Sequence, residues 1–140
     1  MLSAARMVVI VGCTLLAITS PIAQQETVFT PQVYARIDSI YGTEASEDVA
    51  KWRQLVAELQ SEDLDEKLYQ INRFFNRFDF VDDLVHWQQK DYWATPIEFI
   101  STGAGDCEDY TIAKYFSLIE LGVPEQQLRL MYVTALELRQ

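Results

Sequence analysis

From Leu128 to Leu138 the side chains alternate. Leu128, Leu130, Tyr132, Thr134, Leu136 and Leu138 fall on one face, and Arg129, Met131, Val133, Ala135 and Glu137 on the other. Period-two alternation with apolar residues on both faces predicts a strand inside a sheet. A strand needs hydrogen-bonding neighbours, yet nothing upstream shows a comparable pattern. The preceding sequence reads as helix. The chain is therefore expected to be α+β, with a helical N-terminal half packed on a sheet of which most strands are missing. On this reading the chain stops mid-domain, and its stability is expected to be marginal.

Helix signals are clear in the first half. Thr30-Pro31 is a start signal, with Thr as N-cap and Pro at the first position. Val33, Ile37, Ile40 and Tyr41 follow at helical spacing, and Gly42 ends the run. Ser46 is the candidate cap of a second helix with Val49, Trp52, Val56 and Leu59 on one face. A third is expected from about Leu64 to Arg77, burying Leu68, Ile71, Phe75 and Phe78. Phe78 to Val85 mixes apolar and acidic residues and takes no assignment. His86 to Lys90 reads as polar and exposed. Pro96 biases Thr95 away from helix and can open a short helix to Ile100. Ser101 to Gly105 is a loop of small residues. A last helix should begin near Asp106, with Ile112, Tyr115, Phe116 and Ile119 toward the core. Gly122 and Pro124 close it.

Residues 1–23 read as a secretory signal or membrane anchor: Arg6, then an apolar run from Met7 to Thr19, then Ser20-Pro21-Ile22-Ala23. The run is short for a membrane span. Ile10-Val11-Gly12-Cys13 also has the form of a lipoprotein cleavage box, although apolar residues continue after Cys13. Residues 24–140 then form one domain of an exported protein. The formal net charge of −10 argues against a nucleic-acid partner, which demands a basic stripe. It suits a cation or a basic partner, and equally a solubilising surface. Two cysteines are present, Cys13 and Cys107. Only Cys107 lies outside the export segment, so no disulfide framework is expected.

Cys107 falls in the first turn of the last helix. Unpaired N–H groups and the positive end of the helix dipole favour a thiolate there. Asp106, Glu108 and Asp109 crowd the sulfur with negative charge and oppose that effect. Asp106 can cap the helix while Glu108 and Asp109 complement its dipole. Alternatively, the carboxylates can hold a hard cation, with calcium needing six to eight oxygens. Spacing alone leaves both readings open.

The blocks Asp91-Tyr92-Trp93-Ala94-Thr95-Pro96-Ile97-Glu98-Phe99, Gly103-Ala104-Gly105-Asp106-Cys107-Glu108-Asp109-Tyr110, Ile112-Ala113-Lys114-Tyr115-Phe116 and Leu121-Gly122-Val123-Pro124 resemble the bacterial transglutaminase-like cysteine peptidases of the LapG type. The match runs from about Phe74 to Leu138. The resemblance implies a transglutaminase/papain-like cysteine protease fold with an antiparallel sheet, here incomplete. It implies a calcium-dependent periplasmic endoprotease with a Cys-His-Asp triad. The implied substrate is the N-terminal region of a large surface adhesin, cut at paired alanines to disperse biofilm. The implied inhibitor is an inner-membrane cyclic di-GMP receptor. Cys107 matches the nucleophile. Asp106 and Glu108 match the Ca2+ ligands, with Asp109 a further candidate. Trp93 matches an aromatic near the active site, and core packing is its other reading.

In the family the His and Asp follow the strand that here ends at Leu138-Arg139-Gln140. This sequence has one histidine, His86, before the cysteine. Its neighbours Asp83, Gln88, Gln89 and Lys90 make it read as a solvated helix residue. Proteolysis by this chain alone is expected to be absent. Two other readings stand beside the protease: a non-catalytic protein that binds calcium or the receptor, and a transglutaminase that passes the acyl group to an amine.

Overall fold

Pro31 opens α1 (Pro31–Tyr41), and Gly42 ends it in one residue at φ +94°, so α2 (Thr43–Glu58) starts at once. The computed structural model describes residues 28–131. The immediate restart overturns the expectation that Ser46 caps α2. The turn at Gly42 needs no spacer, and Ser46 lies inside the first turn, its Oγ donating back to Thr43 O at 3.0 Å. The inward face of α2 carries Val49, Trp52 and Val56 as its spacing predicts, and Leu59 is buried in the single 3-10 turn that follows.

Asp63 caps α3 (Leu64–Phe75) by accepting the Glu66 N–H at 2.9 Å. Ile71, Phe74 and Phe75 are buried, and Phe78 half-buried. Leu68 is not buried as expected. With Tyr69 and Leu118 it lines an open groove between α3 and the last helix.

The unassigned stretch after Phe78 resolves into β1 (Asp79–Phe80) and α4 (Asp83–His86). After an extended segment come α5 (Pro96–Thr102), β2 (Ala104–Gly105) and α6 (Cys107–Glu120). β1 pairs with β2 in parallel, Asp79 opposite Ala104 and Phe80 opposite Gly105. The long crossover through α4 and α5 permits that direction. The fold is α+β, mostly helical with a small sheet, and the pairing described is parallel rather than antiparallel. The strand expected from Leu128 to Leu138 falls largely on residues 132–140, outside the described residues. Leu128 has extended backbone, at φ −105° and ψ 144°. The expected export segment, residues 1–23, also lies outside them. No helix among the described residues is long and apolar enough to cross a membrane.

Aromatic rings fill the centre. Phe75 and Phe99 stack with centroids 5.9 Å apart, and Phe78 and Tyr110 pack on Phe99 at 5.3 and 4.7 Å. The core-facing side of α6 differs from expectation. Ala113, Ser117 and Leu118 are buried, whereas Ile112, Tyr115 and Ile119 are half-buried and Phe116 is exposed. α6 is apolar around most of its circumference, so periodicity could not choose a face. Small residues choose it by admitting Trp52, whose Nε1 donates to Ser117 Oγ at 2.9 Å; Ser117 Oγ donates in turn to Ala113 O at 2.7 Å.

Candidate active site

The thiol is placed by two consecutive helix caps. Thr95 and Glu98 form a reciprocal capping box at the start of α5: Thr95 N–H donates to Glu98 Oε2 at 2.8 Å, and Glu98 N–H to Thr95 Oγ1 at 3.3 Å. Gly103, at φ +71°, stops α5 in the left-handed region that suits glycine. β2 then carries the chain to Asp106, whose extended backbone makes it the N-cap of α6. Cys107 is the first helical residue, with an exposed, free thiol. Thr111 Oγ1 donates to Cys107 O at 2.7 Å, one turn on.

Carboxylates from α4, from the segment after it and from the start of α6 gather at the turn that carries Cys107. Oxygens of Asp83, Asp106 and Asp109 lie within 4.8 Å of one another, and so do those of Asp83, Asp91 and Glu108. Asp83 belongs to both groups. It is 4 % exposed, and Oδ2 accepts the Tyr92 N–H while Oδ1 has no partner. Asp106 Oδ1 is likewise buried and unpartnered. Asp109 is fully buried, and its oxygens accept the N–H of Ala94 at 2.8 Å and of Asp106 at 3.3 Å. Asp91 accepts from Trp93 Nε1 at 2.9 Å. Among the described residues, none of these carboxylates forms an ion pair with Lys or Arg.

Such crowding raises proton affinity. Burial, then the hydrogen bond and charge of Glu108, then the charges of Asp83 and Asp109, push the Asp106 carboxyl up to about 7. Burial also raises Asp109, with the charges of Asp83 and Glu108 adding to it, against the lowering effect of its two backbone donors. A cluster that strains to hold protons is one that a cation could neutralise. Its donors are all hard oxygens, as calcium prefers, and the orphaned oxygens of Asp83 and Asp106 give that cation something to bind. The residues present fit the metal.

Asp106 and Asp109 group with Asp83, and Glu108 groups with Asp83 and Asp91, around the turn that carries Cys107. The sequence reading did not single out Asp83 or Asp91 as candidates. An aspartate at a short helix start looks the same in sequence whether it caps or coordinates, and Asp83 read simply as a polar neighbour of His86. Trp93 is 62 % exposed, which rules out core packing. His86 is not solvated as expected. It is half-buried, its ring edge-on to Trp87 at 4.7 Å, with Nε2 buried and unpartnered. The apolar neighbour Trp87, rather than the polar flanks, determines its surroundings.

A free cysteine at the start of a helix, on an α+β frame and close to an acidic cluster, agrees with a transglutaminase-like fold. The family model of the bacterial transglutaminase-like cysteine proteinases matches residues 26–138, and the chain belongs to that family. Solved structures of LapG from Legionella pneumophila are similar. The calcium-bound form is 33 % identical with a TM-score of 0.58, over 71 % of this chain and 55 % of that one. The EGTA-treated form is 35 % identical with a TM-score of 0.57, over 69 % of this chain and 51 % of that one. The chain thus spans about half the length of the LapG chains it matches. None of the curated proteins matches it.

Proposed function

We propose that this chain supplies the nucleophile and the calcium site of a LapG-type cysteine endoprotease. The observation that carries the reading is the exposed thiol of Cys107 at the first position of α6, next to buried carboxylates with unpartnered oxygens. In the proposed reaction Cys107 Sγ attacks a peptide carbonyl, and the N–H groups of the first turn of α6 favour the developing oxyanion. The amine leaves with a proton delivered by a histidine, and water releases the acyl group. In the family that histidine follows the strand near Leu138. His86 is the single histidine in this sequence, and we assign it no part in the reaction. The chain alone is proposed to be inactive in proteolysis.

Asp106 and Glu108 are the proposed calcium ligands, with Asp83 and Asp91 contributing from the facing segment. A calcium ion held there supplies positive charge that offsets the carboxylates beside the thiol. Similarity to calcium-bound LapG supports this assignment. By the same family resemblance we propose a periplasmic location, a large surface adhesin as substrate, release of biofilm as outcome, and an inner-membrane cyclic di-GMP receptor as inhibitor.

The presence of a single histidine before Cys107 also favours a second reading, a non-catalytic calcium- or receptor-binding protein. Two measurements on the full chain separate them: iodoacetamide labelling of Cys107, with calcium and with chelator, and cleavage of an adhesin-like peptide containing paired alanines. Calcium-responsive labelling without cleavage is expected. Cleavage would overturn the assignment of inactivity, and a thiol indifferent to calcium would sink the coupled nucleophile and metal site.

A further inference from the structure

We propose that Asp109 is a positioning residue, a splint that fixes the first turn of α6 against the Tyr92–Thr95 segment without help from a cation. The inference rests on the reading of Cys107 as nucleophile, because whatever orients that turn orients Sγ.

Asp109 differs from the other carboxylates of the cluster. Asp83 and Asp106 each keep a buried oxygen without a partner, whereas each oxygen of Asp109 accepts a backbone N–H. Its two donors come from different places. Asp106 N–H belongs to the cap immediately before Cys107, and Ala94 N–H lies beside the exposed Trp93. Ala94 is 1 % exposed, so its amide has no water to fall back on if the carboxylate is lost. One side chain thus satisfies a buried donor on the facing segment and fixes the entry into α6.

The surrounding structure is shaped to admit it. A Cβ on Gly105 would lie 2.5 Å from Asp109 Oδ2, 2.9 Å from Asp109 Cβ and 2.8 Å from Phe99 Cδ2. Any side chain at position 105 would push the carboxylate off its donors. Gly105 is therefore needed for the room it leaves, since its backbone is not in the left-handed region. The spacing Gly105-Asp106-Cys107-Glu108-Asp109 reads as a unit: space, cap, nucleophile, metal ligand, splint.

Amide hydrogen exchange on the full chain in chelator tests this directly. In the unaltered protein the amides of Ala94 and Asp106 are expected to be protected without calcium. If they exchange freely while α2 amides such as Val49 stay protected, the splint is overturned with no variant needed. In Asp109→Asn the amide group presents N–H to N–H, and exchange at Ala94 or Asp106 should speed up by about tenfold or more, Val49 being unchanged. Gly105→Ala keeps the carboxylate and should give the same pattern.

The rate of Cys107 alkylation, relative to that of the urea-unfolded chain, should change by about threefold or more in both variants, and equally with calcium and with chelator. A purely structural residue would leave that ratio alone. If Asp109→Asn leaves both amides protected but lowers calcium affinity about tenfold, Asp109 is a metal ligand and the proposal fails. Protected amides beside a Cys107 that never alkylates would instead sink the nucleophile reading and leave the splint intact.

Discussion

Asp83, the first residue of α4, and Asp106, the cap of α6, each bury one oxygen that has no protein partner, within a group of carboxylates spanning no more than 4.8 Å. Two elements far apart in sequence thus share one electrostatic problem. Asp83→Asn and Asp106→Asn should each lower calcium affinity by about tenfold or more. Asp65→Asn, on the exposed first turn of α3, should leave it unchanged. Titration calorimetry measures all three. An Asp83→Asn protein that binds calcium normally would remove α4 from the site.

Stability in chelator should fall as pH rises. The Asp106 carboxyl, at about 7 in the fold against an ordinary 3.8, holds its proton more tightly folded than unfolded. Its contribution is fully present below about 3.8 and is lost as pH climbs through about 7. Urea midpoints measured across that window should decline, and Asp106→Asn should flatten the decline. Saturating calcium should oppose it, since a ligand bound only to the fold stabilises the fold. A midpoint that rises over the same range in chelator would contradict the burial of this group.

Trp52 and Ser117 form a buried side-chain pair between α2 and α6. Ser117→Ala leaves the indole N–H without its acceptor and should cost about 1–3 kcal/mol. Trp52→Phe removes the donor and some volume, and should cost a similar amount. In the double variant the loss should be less than the sum, because the second change removes a bond already broken. Urea denaturation of the three proteins checks the coupling. Strict additivity would mean that the bond contributes nothing.

Phe75→Ala should destabilise the chain by about 3–5 kcal/mol, the range for deleting a fully buried aromatic ring. Phe75 touches Phe74, Phe78 and Phe99, so the cavity opens at the junction of α3 and α5. Phe116→Ala, on the exposed face of α6, is expected to change stability by less than about 0.5 kcal/mol. Comparing their thermal midpoints separates core from surface.

The parts legible in the sequence were those set by local chemistry. Pro31, Gly42, Pro96 and Gly122 mark ends that depend on φ or a missing N–H, and the structure puts its boundaries there or within a residue or two. The helix start near Asp106 was also legible, but the expected loop from Ser101 to Gly105 is instead the end of α5, a glycine stop and β2, because Gly103 alone makes the turn. What escaped was decided at long range. The buried face of α6 follows from Trp52, on another helix, and no pattern within α6 announces it. The two-residue strands are too short for period-two alternation to register. Asp83 became a site residue only when the crossover between β1 and β2 folded it against Asp106.

The hydrogen bond from Ala94 to Asp109 has a consequence for how this region can change over time. It closes a loop of chain holding a capped helix, a glycine stop, a two-residue strand and a helix cap, with no slack between them. Exposed side chains on it that neither cap a helix nor belong to the candidate site can be exchanged, but its circumference cannot. Adding or dropping one residue between positions 95 and 105 would rotate everything after it and move the thiol off its bearing. Insertions should be tolerated instead at Gln88 to Lys90, an exposed stretch outside the loop. Length, more than composition, is what this part of the domain must conserve.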